Sequence, residues 1–218
     1  MRRLLIALTL LLLLSTYNLQ NHLNKNSKLQ IKKIIIENNQ ILEEKEILLK
    51  LDFLYGENLF LLNTKNIQKN LKKIDFIESF EIKKKYPNQI KIKIFEKIPI
   101  AIIQNKKKKN FYTSKGDLIK FDDLSLYKNL PVVFGDEKSF KIFYDNLKKI
   151  SFPIHLIKSF FLFESKRWDL LTKKNQTIKL PIKNYNSSLK NFLNLEGQAN
   201  FEKFKIFDYR IMGQLILK

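Results

Sequence analysis

Between Ile77 and Ala101 the chain alternates in character. Ile90, Ile92 and Ile94 take every second position, with Lys91, Lys93 and Phe95 between them. That period of two gives a β-strand one apolar face and one largely wet one. Phe80 and Ile82 share one face of a preceding run, and Tyr86-Pro87-Asn88-Gln89 separates the two runs. Proline presets φ for the second position of a turn and asparagine tolerates the third, so the unit predicts a β-hairpin. Pro99 has no N–H to give to a ladder, which places a boundary, or a crossing into a new sheet, at that point.

Upstream, Ile31 to Glu37 predicts a strand whose Ile34-Ile35-Ile36 end is buried on both faces. Asn38 and Asn39 then turn the chain, because asparagine accepts the left-handed region better than other non-glycine residues. The period changes at Glu43. Ile47, Leu48, Leu51 and Leu54 fall at helical spacing, and Glu43, Glu44 and Glu46 sit in the first turn, where carboxylates complement the macrodipole. Gly56 ends that helix. Asn58 to Leu62 crosses back along the core, Asn63 or Thr64 caps a second helix, and Ile67, Leu71 and Ile74 line its buried face. Residues 31–98 thus read as a β-α-α-β-β unit, its apolar stripes core rather than groove.

Beyond Pro99 the texture is strand-rich. Ile100 to Gln104 and Phe111 to Thr113 flank a lysine-rich tip, and Gly116-Asp117 turns the chain into Leu118 to Phe121. Leu130-Pro131-Val132-Val133-Phe134-Gly135 is a short buried segment. Phe140, Phe143, Tyr144, Leu147 and Ile150 fit one helix face, with Ser139 or Asp136 as cap. Phe160 to Phe163 predicts a strand, and Arg167 to Leu171 with Thr177 to Pro181 a hairpin. Leu189, Phe192 and Leu193 mark a short helix stopped by Gly197, and two strands, Phe201 to Tyr209 and Ile211 to Leu217, close the chain. The expected class is α+β: an N-terminal transmembrane helix, the β-α-α-β-β unit, and over 99–218 an antiparallel β domain with two short helices.

The N-terminus supports the membrane part of that expectation. Arg2 and Arg3 precede a run from Leu4 to Leu14 in which Thr9 is the only polar residue, with Leu4, Leu8, Leu11 and Leu14 at its heart. This run alone is short of the roughly 20 residues that cross a bilayer, which leaves a cleaved signal peptide open. No small-x-small site follows, however, and Tyr17 and Leu19 can carry the helix into the interface. An uncleaved anchor over 4–22 is favoured, with a cytoplasmic stub at 1–3, a linker at 23–30 and the remainder outside.

Composition then removes several functions. A formal net charge of +20 invites a nucleic-acid or anionic-membrane reading, but of 41 basic residues only Arg2, Arg3, Arg167 and Arg210 are arginine, the side chain suited to bidentate phosphate and base contacts, and the lysines read as solvated faces. No nucleic-acid partner is expected. There is no cysteine, hence no disulfide or thiolate chemistry. His22 and His155 have no ligand-spaced neighbours, and no phosphate loop or nucleophile motif is present, so neither an enzyme nor a cofactor is expected. Asp208 and Arg210, two apart, are expected to pair and cap the last hairpin, and Trp168 is expected in the core.

The order of these features resembles the FtsQ/DivIB family of bacterial cell-division proteins. The resemblance is carried by Gly56-x-Asn58-Leu59-Phe60, Tyr86-Pro87-Asn88, Glu96-x-x-Pro99-x-Ala101, Gly116, Leu130-Pro131 with Gly135, Arg167-Trp168-Asp169-Leu170 with Leu180-Pro181, and Asp208-Tyr209-Arg210. It implies a non-enzymatic, single-pass inner-membrane protein with a POTRA domain and a β domain in the periplasm, linking early and late components of the divisome at the septum. It further implies that a segment of an FtsB-like single-span protein, complexed with an FtsL-like one, adds as a β-strand to the last strand. The matching positions here are Ile211, Met212, Gly213, Gln214, Leu215, Ile216 and Leu217. Ile211 stands where relatives often carry tyrosine. A strand with no later segment to cover it leaves an unpaired N–H and C=O row, the template that β-augmentation uses. The alternative is a POTRA-containing factor of an outer-membrane assembly or secretion system, expected to carry repeated POTRA units or a membrane barrel.

Overall fold

The structure, a computed structural model, describes residues 6, 9, 11, 27–106, 108–196, 198 and 200–218. The chain divides into two units, residues 1–97 and 98–218. Of the expected anchor, Leu4, Leu8 and Leu14 lie outside the described residues, and Leu11 is helical and exposed. Among the described residues no helix is long and apolar enough to cross a membrane.

Unit 1 is built on the alternating isoleucines. Strand β1 (Lys33–Glu37) runs parallel to β3 (Gln89–Glu96), and β2 (Ile77–Lys85) lies antiparallel on the other side of β3, giving the order β1-β3-β2. Two helices, α1 (Glu44–Lys50) and α2 (Lys65–Leu71), cover one face. Ile90, Ile92 and Ile94 are fully buried, as are Ile47, Leu51, Leu54, Ile67 and Leu71 opposite them. Each such side chain removed from water contributes about 1.5–3 kcal/mol. Gly56, at φ +83, turns the chain after the 3-10 turn Asp52–Leu54 that follows α1. Asn63, rather than Thr64, supplies the side-chain bond at the start of α2, its Oδ1 accepting from the Lys65 N–H at 3.0 Å.

One expectation fails in β1. Ile34 and Ile36 are buried, but Ile35, opposite Lys91, is half-buried, because the helices of this unit cover only one side of its sheet. A second detail was not foreseen: Lys84 points inward, opposite Ile90, and its Nζ donates to the carbonyls of Phe60 (3.2 Å) and Leu62 (3.0 Å). The ammonium is thus satisfied by the crossing segment that the sequence pattern had marked as core.

Unit 2 holds one nine-stranded sheet. Its strands in chain order are β4 (Pro99–Asn105), β5 (Lys108–Thr113), β6 (Leu118–Lys120), β7 (Val132–Phe134), β8 (Ile157–Leu162), β9 (Trp168–Thr172), β10 (Thr177–Lys179), β11 (Ile206–Asp208) and β12 (Ile216–Leu217). Across the sheet the order is β12-β11-β10-β9-β8-β7-β4-β5-β6. The expected antiparallel sheet is in fact mixed, with β4–β7, β7–β8 and β10–β11 parallel. Helix α3 (Glu137–Lys149) joins β7 to β8 and α4 (Tyr185–Glu196) joins β10 to β11. A crossover helix returns the chain to the end it left, so the strands it links run in the same direction. Gly197, the expected stop for α4, lies outside the described residues.

The core of unit 2 is aromatic. Phe140 and Phe143 of α3 are buried against Phe160 and Trp168, with the Phe143 and Trp168 rings stacked at 4.8 Å. Asp136 caps α3, its Oδ1 accepting the Ser139 N–H at 2.8 Å. Gly135 lies directly beneath this cluster: a Cβ there would sit 2.9 Å from Leu162 Cβ and 3.4 Å from the Trp168 ring.

Candidate partner-binding edge

The expected closing strands are shorter than their sequence suggests. Phe201–Lys203 is a 3-10 turn behind Asn200 at φ +69, and the strand proper is only Ile206–Asp208. Of Ile211 to Leu217, only Ile216 and Leu217 are strand. Antiparallel neighbours must be joined by a reversal, and residues 209–215 provide it. The Gln214 N–H donates to the Ile211 carbonyl at 3.1 Å, with Gly213 at φ +75 in the third turn position, where a type II turn requires positive φ. The turn displays Ile211 and Met212, at 54% and 75% exposure.

Asp208 fixes the start of this reversal. Its Oδ1 accepts the backbone N–H of Arg210 at 3.1 Å, and its Oδ2 accepts from Arg210 Nη2 at 2.7 Å. The Arg210 guanidinium, against an opposing effect of burial, holds the Asp208 carboxyl below the usual carboxylate range. Tyr209 turns the other way, is buried, and donates its hydroxyl to Asn191 Oδ1 of α4 at 2.9 Å. Burial pushes the Tyr209 hydroxyl far above the ordinary phenol range.

Among the described strands, β12 forms one edge of the sheet and pairs with β11 alone. Lys218 and Ile206 exchange both backbone hydrogen bonds, at 3.1 and 3.0 Å. Hydrogen-bonded and non-hydrogen-bonded pairs alternate along an antiparallel ladder, so Leu217, opposite Phe207, directs its N–H and C=O away from β11. No described strand lies on that side. Beside the edge, a groove of about 470 Å³ runs between the turn and α4, lined by Lys183, Ser188, Asn191, Tyr209, Met212 and Leu215.

The remaining motif residues are structural in their contacts. Trp168 opens β9 and is buried in the core. Pro99 opens β4, where its missing N–H falls beside a register shift before Ala101. Glu96 ends β3, and its carboxylate accepts the backbone N–H groups of Gln40 (3.1 Å), Ile41 (2.9 Å) and Leu42 (2.8 Å), closing the loop between β1 and α1.

Sequence reasoning missed a second pair of the same kind. Arg167 Nε donates to the buried Asp169 at 3.0 Å, and the register places Asp169, Lys179, Asp208 and Ile216 in one row across four neighbouring strands. The signal was present in the mirrored spacing, Arg-x-Asp at 167–169 and Asp-x-Arg at 208–210.

A β-α-α-β-β unit followed by a mixed sheet with an open C-terminal edge makes this a POTRA-bearing protein. The description "POTRA domain, FtsQ-type" matches residues 29–97, and "Cell division protein FtsQ/DivIB, C-terminal" matches residues 101–210. The chain is 30% identical over 185 residues to the cell division protein FtsQ of Rickettsia typhi, covering 83% of this chain and 69% of the relative. It is 29% identical over 203 residues to that of Rickettsia conorii, covering 90% and 76%. The chain belongs to the FtsQ/DivIB family of cell division proteins.

Proposed function

We propose that the chain is a non-enzymatic scaffold of the division machinery, anchored in the bacterial inner membrane by residues 4–22, with its N-terminus cytoplasmic and its two units, POTRA over 31–98 and β domain over 99–218, periplasmic. At the septum it links early and late division proteins. An extended segment of an FtsB-like single-span protein, held with an FtsL-like one, adds to the outer side of β12. The observation that carries this reading is the outward N–H and C=O of Leu217 on an edge with no described neighbour. Strand addition draws affinity from that main-chain row and specificity from adjacent pockets, a role the groove under Met212 and Leu215 suits.

The test is a pull-down of the full chain, in detergent, with the periplasmic segments of the FtsB-like and FtsL-like proteins from the same genome. Leu217→Pro removes the outward donor at an exposed position of β12, whereas Leu215→Pro alters the turn that leads into the strand, where Leu215 packs against the core of unit 2. Binding that Leu217→Pro abolishes, and that survives a rise in salt, supports strand addition at β12. Undiminished binding by both folded variants moves the site elsewhere. No binding by the wild type favours the assembly-factor reading of the POTRA unit.

A further inference from the structure

Three segments meet at one end of unit 1. The Gly56 N–H donates to the Ile31 carbonyl at 3.1 Å, the Ile31 N–H to Glu57 at 2.9 Å, and the Leu59 N–H to Leu29 at 2.9 Å. The Lys32 N–H reaches the Asn88 carbonyl at 2.9 Å, and Lys84 Nζ holds the carbonyls of Phe60 and Leu62. Residues 29–32, 55–62 and 84–88 therefore form one end of the unit. It is also the end at which the chain comes in from its apolar N-terminal stretch.

That end carries an apolar surface of mixed aromatic and aliphatic character. Tyr55, Phe60, Leu61 and Tyr86 are 45%, 57%, 38% and 58% exposed. Lys32 and Lys85 are exposed in the same three segments, whose single carboxylate is Glu57. Aromatic rings and lysine side chains together are the chemistry of the membrane interface, the rings at headgroup depth and the ammonium groups on anionic phosphates. Chain length makes contact possible: with the anchor ending at residue 22, the chain to Leu29 spans at most about 25 Å fully extended.

We propose that this end of unit 1 seats in the headgroup layer of an anionic bilayer, with Tyr55, Phe60, Leu61 and Tyr86 at the apolar boundary and Lys32 and Lys85 on lipid phosphates. The proposal rests on the anchor reading above. Seating sets the orientation of the unit: β3 runs from Gln89 near the lipid to Glu96, which stands about 23 Å farther along at the rise of a strand.

The absence of native cysteine allows a clean test on the full chain. Phe60→Cys, Leu61→Cys and, as a control near the other end of β2, Ser79→Cys are each labelled with an environment-sensitive dye. The proteins are reconstituted in vesicles of phosphatidylethanolamine and phosphatidylglycerol or of phosphatidylcholine alone, with lipid-borne quenchers. The expected result is a blue shift and quenching at positions 60 and 61 only, stronger in the anionic vesicles. Lys32→Gln and Lys85→Gln should each lower the docked-to-free ratio roughly fivefold. A chain that resists alkaline extraction but shows no quenching at 60 or 61 overturns the proposal and leaves the anchor standing. A chain that alkali extracts overturns the anchor reading and the proposal with it. Dye–dye self-quenching without lipid contact would assign the surface to a second copy of the chain, and overturn the proposal as well.

Discussion

Lys218 and Ile206 exchange both of their backbone hydrogen bonds, and this single pair decides which way the edge of the sheet faces. One residue earlier the ladder must present its non-bonded pair, so the main chain of Leu217 looks outward. A slip of one residue would turn that row inward and present Ile216 instead. The Asp208–Arg210 pair and the turn at Gly213 hold the register by fixing where β11 stops and where the chain comes back.

Acid should weaken unit 2 through Asp208. Its carboxyl is depressed in the folded state, chiefly by the hydrogen bond from Arg210. Such a group contributes stability that is complete above the unfolded pKa of about 3.9 and is lost as pH falls through the folded value. Urea unfolding followed by Trp168 fluorescence should therefore show stability falling below about pH 4. Asp208→Asn should flatten that limb and cost about 1–2 kcal/mol at neutral pH. Superimposable acid limbs would refute the assignment.

Glu96 should matter to the loop it closes. Glu96→Ala leaves the N–H groups of Ile41 and buried Leu42 without their acceptor, at a cost of about 1–3 kcal/mol to unit 1. Hydrogen exchange at residues 40–42 should quicken first. Glu96→Gln, which keeps one acceptor oxygen, should fall between wild type and alanine. Equal exchange in all three proteins would remove the role given to this carboxylate.

Gly135 should tolerate no side chain. A methyl group there meets Leu162 Cβ at 2.9 Å, closer than packed atoms approach, so Gly135→Ala should destabilise unit 2 by about 1–3 kcal/mol. The Trp168 emission, reporting a ring 3.4 Å from the new methyl, should shift as well. An unchanged urea midpoint would show that the neighbours yield freely.

The elements with strong periodicity are legible in the sequence. Ile90, Ile92 and Ile94 mark β3, Phe140 through Leu147 mark α3, and both follow from burial on one face. Strand direction was not legible, because β7–β8 and β10–β11 are parallel only through the crossover helices, which local alternation does not record. The closing strand was overcalled for a related reason. Ile211, Met212 and Leu215 are apolar enough for a strand, yet the reversal after Asp208 claims them, and only the positive φ at Gly213 betrays it. Contacts made by charged side chains were least visible. Glu96 reaches residues 54 to 56 positions away in sequence, and no spacing rule connects them.

The outward edge itself is tested most directly by residue-resolved amide exchange of the full chain, alone and saturated with the periplasmic segment of the FtsB-like partner. Addition of a strand outside β12 predicts that the Leu217 N–H, open in the free protein, becomes strongly protected. The Ile216 N–H, already paired inward to Asp208, should change far less. A saturated complex in which Leu217 exchanges as fast as in the free chain would contradict strand addition at this edge.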